Sequence, residues 1–170
     1  GNALKAQSLY LGNNESLIYW EDHREGTYGY YSFGQKVYTG WENVVEPNGL
    51  KLCNNPAQED PKADLASSDG DISLGFRKEP TIDSEITEYT LYYQPINNNL
   101  EMIGDTNQGL PVFESGTEQK EFDLILTNDN NLFFAFSDIR NTTDKDVYLQ
   151  KYNNFNPVFI GNFYQAATSS

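Results

Sequence analysis

The sequence predicts an all-β protein made of three four-stranded antiparallel, blade-like repeats. The chain of 170 residues holds 12 Tyr, 10 Phe and 2 Trp. Rings of this kind favour strands, and the abundant Gly and Asn favour the tight turns between them. Short runs of alternating apolar and polar residues recur between Gly, Asn, Asp and Pro, which is the period of half-buried strands. One passage also returns three times, around Arg24, Arg77 and Arg140, and these are all the arginines of the chain. An internal period of about fifty-eight residues marks stacked supersecondary units.

The first repeat, about residues 7–57, opens with Gln7, Leu9 and Leu11 in a strand predicted at 7–12. Asn13-Asn14 supply a turn, and Ile18, Trp20, Asp22 and Arg24 follow on and after a strand at 15–21. Further strands are expected at 28–33 and 36–42. The second repeat, about 58–118, opens with Gln58 and places strands at 62–67, 71–77, 87–94 and 99–103. The third, about 119–165, opens with Gln119 and places them at 121–127, 131–137, 145–152 and 156–161. Asn128-Asp129-Asn130 form its first hairpin turn, since these residues tolerate positive φ. The segments 43–57 and 104–118 are read as connections. Ile18, Trp20, Leu74, Phe76, Phe134 and Phe136 fall on one side of the second strands and are expected to lie between layers. Seven prolines at boundaries and in loops argue against a long helix.

The repeats resemble blades of secreted and cell-surface bacterial β-propeller proteins, related in shape to sialidase-type propellers. Those blades carry Trp-x-Asp-x-Arg, then Asp-Ile-Tyr-x-Gln, then a Trp-containing strand and Asn-Gly-x-x-Leu-Cys. The chain answers with Trp20-Glu21-Asp22-His23-Arg24, Trp41 and Asn48-Gly49-Leu50-Lys51-Leu52-Cys53 in the first repeat. In the third it answers with Phe136-Ser137-Asp138-Ile139-Arg140 and Asp146-Val147-Tyr148-Leu149-Gln150. The second departs, with Phe76-Arg77 adjacent and no aspartate before the arginine. The resemblance implies a partial β-propeller and an extracellular or cell-surface address in bacteria; it implies no activity. Propellers use typically four to eight blades, so three imply further blades from a longer parent chain or a second copy. The alternative architecture for three four-stranded units is a β-trefoil.

Charge narrows the partners. The net charge of −14 repels nucleic acid and anionic membrane surfaces. No apolar run reaches the length that crosses a bilayer, so neither nucleic acid binding nor membrane insertion is expected. Glycans or a protein ligand fit better. Tyr28, Tyr30 and Trp41 are candidate stacking rings for such a ligand. Asp22, Arg24, Arg77, Asp138, Arg140, Tyr148 and Gln150 are read as repeat positions that secure strand ends. Asp138, Asn141, Asp144 and Asp146 place four oxygen-bearing side chains in one loop region, a composition that suits Ca²⁺, without the spacing of an EF-hand. No other cofactor is expected. His23 lacks a nucleophile motif beside it, and the lone Cys53 reads as a small buried side chain. The expectation is therefore a non-catalytic binding or scaffold module. The alternative is a fragment of a sialidase-type glycoside hydrolase, which needs paired carboxylates and arginines converging on one pocket.

Overall fold

The computed structural model describes residues 3–24, 31–38, 40, 48–54, 58–66, 71–78, 90–104, 109–112, 119–129, 131–138, 145–153 and 164–167. These form twelve β-strands and no helix. Sheet one runs β1 (Ala3–Gly12), β2 (Glu15–Asp22), β3 (Tyr31–Tyr38) and β4 (Leu50–Lys51). Sheet two runs β5 (Gln58–Ala66), β6 (Asp71–Lys78), β7 (Thr90–Ile96) and β8 (Leu110–Pro111). Sheet three runs β9 (Gln119–Leu126), β10 (Asn131–Asp138), β11 (Asp146–Asn153) and β12 (Tyr164–Ala167). All pairing is antiparallel between sequence neighbours, so each sheet is a meander that stays open.

Strand pairing gives the three sheets a common register. Trp20 lies opposite Phe33, Phe76 opposite Tyr92, and Phe136 opposite Tyr148. Each pair stacks, with ring centroids 6.4, 5.9 and 6.1 Å apart. Such cross-strand ring pairs contribute about 0.5–1.5 kcal/mol beyond their buried area. Two residues earlier on the second strands, Ile18, Leu74 and Phe134 face Gln35, Gln94 and Gln150. Tyr148 and Gln150 therefore do sit at repeated positions. A bulge interrupts each first strand, opposite Trp20 and Phe76 in sheets one and two and one position later, opposite Ser137, in sheet three, where the extra residue sharpens the twist. The first strands of successive sheets lie against one another.

The fourth strands depart from expectation. Residues 36–38 continue β3. Residues 99–103 belong to a turn in which the Asn97 side-chain oxygen accepts from the Asn99 and Glu101 amides, each at 2.9 Å. That turn leaves a single bridge, Ile96 to Met102. The segments read as connections instead contain β4 and β8, each entered through a glycine, Gly49 at φ 72° and Gly109 at φ 79°. These glycines lie against Trp20 and Phe76, and a methyl group on Gly109 would stand 2.7 Å from the Phe76 ring. Just beyond, Leu52 N–H donates to the Ser32 carbonyl and Val112 N–H to that of Leu91, both at 2.8 Å. In sheet three the fourth strand is β12, and the segment expected at 156–161 lies outside the described residues.

Two cores fill the spaces between sheets. Between sheets one and two lie Leu17, Tyr19, Leu52, Cys53, Ile72, Leu74, Phe76, Ile96 and Leu100, so Cys53 is the buried small side chain expected. Between sheets two and three lie Leu91, Tyr93, Val112, Phe122, Leu124, Leu126, Leu132, Phe134, Phe136, Tyr148 and Tyr152. The central sheet is covered on both faces. Leu74, Phe76, Phe134 and Phe136 lie between layers as expected. Ile18 and Trp20 do not: burial on β2 falls on Leu17, Tyr19 and Glu21, while Ile18 and Trp20 face away from sheet two and are half-buried. Both faces of β2 carry large apolar residues, so alternation alone does not choose between them.

Candidate functional site

The end of β2 builds the turn that the repeats promised. Buried Asp22 accepts from the Arg24 amide at 2.9 Å, from Arg24 Nε at 2.8 Å and from Arg24 Nη2. Arg24 Nη1 donates to the Asn48 carbonyl at 2.5 Å, which ties the turn to the approach of β4. The guanidinium lies 4.2 Å from the Phe33 ring centroid, and Trp20 Nε1 donates to Asp22 at 3.3 Å. The Arg24 side-chain bonds hold the Asp22 carboxyl below the usual carboxylate range. With Arg24 committed to Asp22, a backbone carbonyl and a ring face, this arrangement secures a strand end.

The remaining candidates separate. Asp138 and Asp146 are buried and directly opposite across β10 and β11, and Tyr148 O–H donates to Asp146 at 3.4 Å. Arg140, Asn141 and Asp144 lie outside the described residues, as do Tyr28, Tyr30 and Trp41. Among the described residues no three His, Cys, Asp or Glu side chains gather closely enough to hold a metal ion. Arg77 is not at the place of Arg24. It lies inside β6 opposite Leu91, and the matching partner of Glu21 is Ser32, so Arg77 shares a register position with Glu21. The absence of an intervening Asp in Phe76-Arg77 is the sequence signal of that shift. The opening glutamines also part: Gln58 and Gln119 oppose Lys78 and Asp138, whereas Gln7 opposes Tyr19 and it is Ala3 that opposes Asp22. Gln7 accepts from the Tyr19 hydroxyl at 2.7 Å, while buried Gln119 accepts from the Leu91 amide at 2.8 Å and ties sheet three to sheet two.

A surface not singled out from the sequence is the outer face of sheet three. Ile125, Val147 and Leu149 are 59%, 40% and 41% exposed. Phe133 lies beside Ile125 in register, half-buried, with Lys151 Nζ 5.4 Å from its ring centroid. Ile125, Phe133, Val147 and Leu149 thus place four apolar side chains on the outer face of sheet three. Exposed Asp123 and Glu121 border it. The signal in the sequence was the unbroken apolar run Val147-Tyr148-Leu149, whose two outer members face away from the core. No helix among the described residues is long and apolar enough to cross a membrane, which says nothing of strands. No protein-family model, curated protein or solved structure matches the chain.

Proposed function

We propose that this chain is part of a β-propeller and serves as a non-catalytic binding or scaffold module outside the cell or at its surface. Its ligand is a protein or a glycan, with the protein favoured. Three similar meanders in one register, first strands adjacent and faces stacked, support the propeller arrangement over the trefoil. The observation that carries the binding reading is the outer face of sheet three, where Ile125, Val147, Leu149 and Phe133 lie together as exposed or half-buried apolar side chains. Such a face suits the apolar centre of a protein contact, bordered here by charged residues. The Asp22–Arg24 turn spends its charged groups on the fold, which weighs against an arginine grip on an anionic sugar.

Two measurements test the reading together. Ligand screening on protein and glycan arrays is expected to give binding that Leu149→Glu weakens at least ten-fold, and fluorogenic glycosides are expected to remain uncleaved. Turnover of any glycoside that disappears on replacing one carboxylate would sink the proposal and revive the glycosidase alternative. Binding that ignores Leu149→Glu would move the site off this face.

A further inference from the structure

The repeated register says what kind of surface belongs on sheet three. On sheet one, Leu17 and Tyr19 face sheet two. The position matching Tyr19 on sheet two is Gly75, and a methyl group placed there would meet Phe122 and Leu124 of sheet three. The same two positions on sheet three are Phe133 and Ala135, which face outward. A lysine recurs at one position on sheets one and three, where sheet two has Pro95. Lys36 pairs with Leu17 in register and crosses to sheet two, where its Nζ donates to the side-chain oxygen of Asn98. Lys151 pairs with Phe133 in the same way. The outer face of sheet three thus carries the donor half of an interface that the chain already makes twice.

The acceptor half is also present. Leu74 and Phe76 on sheet two, and Phe134 and Phe136 on sheet three, receive the preceding sheet; their counterparts on sheet one are Ile18 and Trp20, facing out. Tyr10, 65% exposed, and Val37 extend that face. Resting on the reading that sheet three's outer face is a binding surface, we infer that its occupant is the outer face of sheet one of a second copy of this chain. Each contact joins unlike faces, so repeating it either runs on as a filament or closes a ring, and closure at two gives a two-fold dimer that holds the contact twice. Two copies supply six sheets, inside the range of propeller rings, and closure at two is the state proposed. Ser8 and Ser16 occupy the sheet-one face where sheet three carries Leu124 and Leu132. This makes the acceptor face less apolar than its internal counterparts, and the association reversible with concentration.

Sedimentation velocity across a concentration series tests this. The expected result is a monomer–dimer equilibrium weakened at least ten-fold by Leu149→Glu and equally by Tyr10→Glu. An equimolar mixture of the two variants is expected to regain dimer, because a mixed pair keeps one of the two contacts intact, whereas a pair of either variant keeps none. Both substituted side chains are exposed; circular dichroism melts like the parent's certify folding, and Val147→Glu and Ser8→Glu repeat the two arms. A monomer at every concentration overturns the inference, as does a dimer that Leu149→Glu breaks and Tyr10→Glu spares. If the chain is monomeric but Leu149→Glu still abolishes ligand binding, the second copy is excluded and the binding reading stands. Glycoside turnover would strike the reading without touching the dimer.

Discussion

The two inter-sheet cores share a register and differ in chemistry. Between sheets two and three, Tyr93, Phe134 and Tyr152 meet as a ring cluster with centroids 5.0 to 6.1 Å apart. Two buried polar links cross that space: Tyr152 O–H donates to the Val112 carbonyl, and Gln119 receives the Leu91 amide. Between sheets one and two the fill is mostly aliphatic, with Leu17, Leu52, Ile72, Leu74, Ile96 and Leu100 outnumbering the rings of Tyr19 and Phe76. There the crossing link is Lys36, held by Glu15 at 3.2 Å and by Asn98. Leu100 enters that core from a left-handed backbone, φ 63°, a conformation that costs a branched side chain roughly 1–3 kcal/mol. A shared strand register therefore does not impose a shared core; the positions that hold Phe134 and Tyr152 at one interface hold Leu74 and Ile96 at the other.

The largest test of that difference is Phe134→Ala. Deleting a fully buried phenyl from the ring cluster is expected to cost about 3–5 kcal/mol, measured by urea denaturation. Hydrogen exchange should then show sheet three losing protection ahead of sheet one. Equal loss in both would mean that the two cores open as one unit. Next comes Gly109→Ala. The left-handed backbone costs a side chain about 1–2 kcal/mol, and overpacking against Phe76 adds about 1–3 kcal/mol. Gly12→Ala is the control, since Gly12 also has positive φ, 88°, but nothing lies within 4 Å of an added methyl group. A smaller loss in melting temperature at Gly12 than at Gly109 isolates the contribution of the ring contact at β8.

A smaller effect is expected from Tyr152→Phe, which leaves the buried Val112 carbonyl without its phenol donor at a cost of about 1–3 kcal/mol. Burial pushes the Tyr93 and Tyr152 phenols well above the usual tyrosine range. Each phenol is held neutral in the fold, so its contribution is complete below about pH 10, the ordinary tyrosine value, and is lost as pH rises beyond it. Tyr152→Phe should therefore flatten the alkaline arm of a stability–pH curve measured by denaturant titration. An unchanged alkaline arm would remove Tyr152 from the account.

The class and the long strands were legible in the sequence because eight alternating residues carry a period. Second strands expected at 15–21, 71–77 and 131–137 stand at Glu15–Asp22, Asp71–Lys78 and Asn131–Asp138. The fourth strands were not legible, since β4 and β8 are two residues long and two residues have no period. What marks them is a glycine against a ring two strands away, a contact visible only in three dimensions. Arg77 misled for a related reason: spacing along the chain resembles register, but the three residues that separate Trp20 from Arg24 are missing between Phe76 and Arg77, which leaves Arg77 inside the strand at the position of Glu21. The outer face of sheet three escaped notice because Ile125 and Leu149 are ordinary strand residues, and only the absence of a covering sheet among the described residues makes them a surface.

At the far end of the molecule from the ring cluster, the smallest predicted effect concerns acid. Asp22 is held below its ordinary value of 3.8, chiefly by the side-chain hydrogen bonds of Arg24. A carboxyl whose folded value is depressed contributes stability that is complete above the unfolded value and is lost as pH falls through the folded one. The window therefore opens near pH 4 and extends below it. Asp22→Asn keeps the shape and loses the charge, so it should lower stability at neutral pH and shrink the further loss between about pH 5 and pH 2. Asp129 is also depressed, by the Thr127 and Asn131 side chains of its turn, so some acid sensitivity remains in the variant. If the acid arm of Asp22→Asn matches that of the parent, the Asp22–Arg24 pair is a surface bond with no hold on the fold. A shrunken acid arm with an unchanged alkaline arm would place the two titrations at opposite ends of the stack, carboxylate at sheet one and phenols between sheets two and three.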